Sequence, residues 1–195
     1  GDDEDDVIVA CAGDGTVQVA GSLFGELQIF EHATGFVGDF MELTSVAVNG
    51  KPGQVKPGSV GSGKGGRRVA STLLGLNELV VIGESGGVWS EQQRISVGSE
   101  PYDLVMNDLD GDGFDDVLVG NSGSSTVSVL LGQGDGTLGE QQVFEAGQSP
   151  QNLTLLDYDG DGDHDLAFRS YNDAEESVVT LLSNDTVPGT GSIAW

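Results

Sequence analysis

Apolar residues in this 195-residue chain fall in short runs separated by turn-forming clusters. Val117 to Val119 and Leu166 to Phe168 are brief continuous runs, whereas Thr126 to Leu131 and Val178 to Leu182 alternate with period two. A Gly-rich turn, GQGDG, then leads into Gln141 to Ala146, which has a counterpart in Gln92 to Val97. A Gly-x-x-Pro corner (Gly98 to Pro101, Gly147 to Pro150) opens a last run, Tyr102 to Asn107 or Gln151 to Leu156. β-Branched residues, period-two alternation and closely spaced turns predict strands throughout. No helical periodicity lasts three turns.

The runs repeat. Shifted by 49 residues, TVSVLLGQGDGTLGEQQVFEAGQSP from Thr126 lies over NELVVIGESGGVWSEQQRISVGSEP from Asn77. The same shift carries Glu140 to Glu91 and Glu42, and Asp157 to Asp108 and then Ser59. DDVIVACAGDGTVQV, near the start, resembles DDVLVGNSGSSTVSV 110 residues later, so the first unit holds about 12 extra residues, placed within 12–40. Four short strands per repeat of this length predict an all-β chain of four-stranded antiparallel β-propeller blades. The units run approximately 1–58, 59–107, 108–156 and 157–195, four blades of a larger ring.

Composition qualifies this. With 32 acidic and 7 basic side chains the net charge is −25, and only 37% of residues are hydrophobic. Spread evenly, such charge would favour disorder. It also disfavours nucleic acid, whose phosphates would be repelled. The acids are clustered, however: five lie in Gly1 to Asp6, five in Asp108 to Asp116 and five in Asp157 to Asp165. No apolar stretch approaches the ~20 residues of a membrane span. The lone Cys11 excludes an internal disulfide framework.

Two of the clusters share the pattern D-x-D-x-D-G-x-x-D. One comprises Asp108, Asp110, Asp112, Gly113 and Asp116, the other Asp157, Asp159, Asp161, Gly162 and Asp165. Carboxylates at positions 1, 3, 5 and 9 can converge if the chain coils tightly, with glycine at position 6 allowing the turn. The carbonyls of Phe114 and Asp163 at position 7 can point inward. Such hard oxygen ligands suit Ca²⁺. An EF-hand would need a bidentate Glu at position 12, where this chain has Val119 or Phe168 within a strand. A solvated Asp/Gly turn is the plainer alternative, but two copies in one repeat phase favour the metal.

With these residues, NDLDGDGFDDVLVGNSGSSTVSVLLGQGDGTL resembles the FG-GAP/VCBS repeat of integrin-α-like propellers. The resemblance implies a seven-bladed, Ca²⁺-binding propeller outside the cell or on its surface. It implies two complete Ca²⁺ sites: Asp108, Asp110, Asp112, the Phe114 carbonyl and Asp116, then Asp157, Asp159, Asp161, the Asp163 carbonyl and Asp165. A third is truncated, with Asp2 and Asp6 at positions 5 and 9. The second unit departs from the pattern. It has Ser59, Gly61, Gly63 and Arg67 at the ligand positions, where nearby Lys64 and Arg68 offer positive charge instead of an ion.

Other segments have simpler readings. Gly58 to Lys64 mimics a phosphate loop, but Gly65 stands where Ser or Thr is required and no helix follows. The basic stretch Lys51 to Arg68 reads as a solvated Gly/Pro/Ser loop, with docking of an acidic partner or sulfated glycan as the alternative. His32 and His164 are distant in the repeat, and no Ser/His/Asp set stands out. Asn152-Leu-Thr154 and Asn184-Asp-Thr186 fit the glycosylation sequon. Phe40, Trp89 and Leu138 share one hairpin position and read as packing residues. The expected function is a non-catalytic, calcium-stabilised module for adhesion or surface assembly. Its partner would be a surface protein, a glycan or another copy, with no nucleic acid and no membrane insertion. A lectin-like or polysaccharide-processing propeller is the alternative.

Overall fold

The alternating runs do form strands. A computed structural model describes residues 7–9, 17–21, 26–32, 40–58, 68–172, 174–185 and 193–195. Sheet I contains β1 (Val7–Val9), β2 (Val17–Gly21), β3 (Glu26–His32) and β4 (Phe40–Ala47). Sheet II contains β5 (Lys51–Gly58), β6 (Arg68–Leu74), β7 (Glu78–Ser85) and β8 (Val88–Ser96). Sheet III has β9 (Pro101–Asn107), β10 (Asp116–Asn121), β11 (Thr126–Leu130) and β12 (Gln142–Glu145). Sheet IV has β13 (Gln148–Leu156), β14 (Asp165–Tyr171) and β15 (Ser177–Leu182). Every pairing is antiparallel between consecutive strands. Among the described residues there is no helix, and hence none long and apolar enough to cross a membrane.

Alternation within each strand sends its two faces to different neighbours. On β7, Val80 and Ile82 pack with Leu27, Val46 and Trp89 between sheets I and II. Leu79 and Val81 of the same strand meet Leu104, Val117 and Leu130 between sheets II and III. Leu118, Val127 and Val129 then meet Leu153, Leu166 and Phe168 between sheets III and IV. Each sheet is therefore a blade buried on its neighbours, the packing of a β-propeller. Trp89 and Leu138 are buried in these seams, as expected of packing residues.

The sequence repeats and the sheets are offset by one strand. Residues 101–107 close a sequence unit, yet as β9 they pair with β10 of the following unit. β5 and β13 likewise open sheets II and IV ahead of the loops that start the repeats. The Gly-x-x-Pro corners coincide with irregular register, as between Gly120 and Asn121, the latter paired with Pro101. Such bulges bend a strand and re-aim its end. In sheet I, β3 falls within residues 12–40, where the extra residues were placed.

Candidate metal centres

The acidic loops span residues 108–115 and 157–164, each joining the first strand of its sheet to the second. Position 9 of each motif is the first residue of the strand that follows, and it anchors the loop. Asp116 accepts from the Leu109 N–H at Oδ2 and from the Gly132 N–H at Oδ1, both at 2.8 Å. Asp165 repeats this, accepting from the Tyr158 N–H at 2.6 Å and from the Asn184 N–H at 2.8 Å. Both side chains are buried. One carboxylate thus ties its own loop to the segment that follows the third strand of the sheet.

The other carboxylates fold the loop around themselves. Asp108 accepts from the N–H groups of Asp112 (3.1 Å) and Gly113 (2.9 Å). Asp157 accepts from the Gly160 N–H at 2.7 Å. Gly113 and Gly162 hold φ at +90° and +99°, a region other residues reach only with strain. This is the sharp turn that position 6 was expected to supply.

As a result, Asp108, Asp110 and Asp116 each place an oxygen within 4.8 Å of the others, and Asp157, Asp159 and Asp165 do the same. Two oxygens on one Ca²⁺ at 2.3–2.6 Å can be at most about 5 Å apart, so each triplet could hold such a metal ion. Asp112 and Asp161 are not in these triplets. Each instead accepts at Oδ1 from the N–H two residues on, that of Phe114 or Asp163, at 2.9 Å. Asp2 and Asp6, and the loop with Ser59, Gly61, Gly63, Lys64 and Arg67, lie outside the described residues. Arg68 begins β6, where its Nη1 donates to the Glu84 carbonyl at 3.4 Å. Its guanidinium also fills the space beside Gly83 and Gly136, so it spans the hairpins of sheets II and III.

The electrostatics of the two centres differ. Burial pushes Asp116 up to about 7, against the lowering effect of the Gly132 and Leu109 N–H groups. Burial and then the neighbouring Asp112 also raise Asp110. Asp165 is held below the ordinary carboxylate range by the N–H of Asn184 and then that of Tyr158. Both carboxylates are buried, but the two centres differ in what leads: burial for Asp116 and backbone N–H donors for Asp165. Desolvation therefore dominates at the first centre and hydrogen bonding at the second.

One residue of the site was not anticipated. Asn184, read only as a sequon, is fully buried, and its Nδ2 donates to the carbonyls of Leu109 (3.0 Å) and His164 (3.2 Å). It joins the two acidic loops. Asn152, of the other sequon, is exposed on β13.

Comparison with known proteins agrees with this geometry. Residues 108–168 match the FG-GAP-like repeat. That match contains both acidic loops and the strands between them. None of the curated proteins matched the chain. Among solved structures, BBS1N in complex with ARL6DN is similar with a TM-score of 0.62 at 12% identity, over 93% of this chain and 48% of that one. The periplasmic gluconolactonase PpgL of Pseudomonas aeruginosa is similar at 0.54 and 25% identity, over 76% and 41%. A putative 6-phosphogluconolactonase from Bacteroides uniformis is similar at 0.59 and 15% identity, over 96% and 54%. The chain spans about half the length of these structures, and the likeness confirms an all-β, propeller-type fold.

The expectation that the protein is not an enzyme does not stand. Its structural neighbours include a gluconolactonase and two putative 6-phosphogluconolactonases. The lack of a Ser/His/Asp set, on which that expectation rested, excludes one catalytic constellation and leaves others open.

Proposed function

We propose that this chain is part of an extracellular, calcium-stabilised β-propeller that serves as a binding module in adhesion or surface assembly, with a surface protein or glycan as ligand. The observation that carries the reading is the pair of carboxylate triplets in the same phase of successive sheets, inside the region that matches the FG-GAP-like repeat. Asp108, Asp110 and Asp116 would hold one ion, and Asp157, Asp159 and Asp165 the other. Calcium there would neutralise carboxylates that repel one another and clamp each loop to its hairpin. The −25 charge and ligands of this kind suit surroundings rich in calcium. Calorimetric titration tests it: two Ca²⁺ per chain are expected, and no heat with Ca²⁺ would overturn the reading.

The likeness to the P. aeruginosa gluconolactonase favours a second reading, a propeller that acts on sugars. A glycan array with and without calcium, run beside a sugar-lactone hydrolysis assay, separates the two. Turnover of a lactone would favour the second.

A further inference from the structure

The segment Glu-Gln-Gln occurs at residues 91–93 and again at 140–142, one repeat apart. The last residue of each copy reaches across a seam between sheets. Gln93, on β8, donates from Nε2 to the Leu138 carbonyl at 2.9 Å and accepts at Oε1 from the Leu138 N–H at 2.8 Å. Gln142, on β12, accepts at Oε1 from the N–H of Ile193 at 3.2 Å. Ile193 is buried in the seam between sheets III and IV.

What these glutamines hold is the backbone that holds the metal loops. Gly132 and Leu138 face each other in an isolated antiparallel bridge. Its hydrogen bonds lie on either side of the pair, from the Gln133 N–H to the Thr137 carbonyl at 3.0 Å and from the Gly139 N–H to the Leu131 carbonyl at 2.8 Å. The backbone polar groups of Gly132 and Leu138 therefore point out of the pair. The Gly132 N–H goes to Asp116, and both groups of Leu138 go to Gln93. Leu138 is buried, so its N–H and carbonyl need partners. A glutamine amide, donor on one side and acceptor on the other, matches a peptide where a carboxylate cannot. Beyond β15, Ala194, next to Ile193, accepts from the Asp185 N–H at 2.9 Å. Asp185 follows Asn184, whose N–H holds Asp165.

The repeat also ties the glutamine to the metal loop. The 49-residue shift that takes Gln142 to Gln93 takes Gln93 to Thr44, on β4. Gln93 and Gln142 precede the sheets whose loops carry the carboxylates. Thr44 precedes sheet II, whose loop has Ser59, Gly61, Gly63 and Arg67 instead. Where the carboxylates are missing, so is the glutamine.

We propose that Gln93 and Gln142 are positioning residues, each fixing the calcium centre of the following sheet through the backbone N–H that anchors its buried aspartate. The inference rests on the calcium reading and adds that each centre belongs to two sheets. The ligands come from one sheet, and their alignment comes from the sheet before it.

Site-resolved calcium titration by NMR, on the 195-residue protein, tests it, with the Gly113 and Gly162 amides reporting the first and second centres. Gln93→Ala should weaken binding about tenfold at Gly113 and less at Gly162, and Gln142→Ala should do the reverse. Gln92→Ala, at an exposed neighbour bonded to Ser90, should change neither. In EGTA, hydrogen exchange should quicken at Gly132 in the first variant and at Asn184 in the second, a readout that needs no metal. Should alanine unfold the chain, Gln93→Glu decides by the same measures, since it keeps the shape and loses the donor to the Leu138 carbonyl. Wild-type glycines that ignore Ca²⁺ would overturn the calcium reading and this proposal with it. A wild type that binds, with variants that lose affinity equally at both centres, lose none or exchange unchanged, would overturn this proposal alone.

Discussion

The side-chain amide of Asn184, just after β15 of sheet IV, donates to the backbone carbonyl of Leu109, in the acidic loop of sheet III, at 3.0 Å. Its backbone N–H meanwhile holds Asp165 at 2.8 Å. One residue therefore contacts both loops. Asn184→Ala keeps the backbone bond and removes the side-chain bridge, leaving the Leu109 carbonyl without this donor. Thermal melts should show a loss of about 1–3 kcal/mol, and calcium titration should show both sites weakened. Weakening confined to the second loop would show that the bridge carries no coupling.

Calcium binding to the folded chain alone should stabilise it by mass action, about 2.7 kcal/mol per site at a hundredfold excess over Kd. A melt in Ca²⁺ should therefore lie well above one in EGTA. Identical melts would remove calcium from the account.

Without metal, stability should fall as pH rises from about 4 to 7. Asp116 titrates near 7 in the fold and near 3.9 unfolded. The native state thus binds the extra proton in this window, and each pH unit upward favours unfolding. The full effect is on the order of a few kcal/mol, and Asp110, also raised, acts in the same direction. Asp165 acts in the opposite direction, its stabilisation being lost only as pH falls below the ordinary carboxylate range. Denaturant titrations in EGTA at pH 5 and pH 8 measure the slope. Asp116→Asn should flatten it, and saturating Ca²⁺ should largely abolish it by keeping the carboxylate ionised in the fold as it is in the unfolded chain.

Gly113→Ala separates backbone strain from crowding. No atom lies within 4 Å of the added methyl, yet φ is +90°. A cost of about 1–2 kcal/mol is expected from the left-handed backbone alone, with weaker calcium binding at the first loop. A neutral substitution would mean that the turn rearranges freely.

Much of this was legible in the residues. Period-two runs and a 49-residue self-match identify strands and blades because both are local or periodic signals. The convergence of Asp108, Asp110 and Asp116 follows from spacing around a glycine turn. The seating of Asp112 does not, because spacing leaves open whether its oxygen takes an ion or the Phe114 N–H. Asn184 was hidden for another reason. Gly120 pairs with Val127 seven residues on, but Arg169 pairs with Val179 ten residues on, and that longer hairpin moves Asn184 out of phase with Gly132. The catalytic question was misjudged because a motif search can find a known constellation but cannot show that no other exists.

The offset between repeats and sheets decides where this chain can be divided. A fragment ending at Asn107 would keep β9 without the strand it pairs with, and the remainder would open on β10 with a bare inner edge. A cut in the turn at residues 97–100 instead releases whole sheets on both sides. Gene duplication that copied blocks from loop to loop would thus have made neighbours mutually dependent at once, each new block reaching back for a strand its predecessor holds.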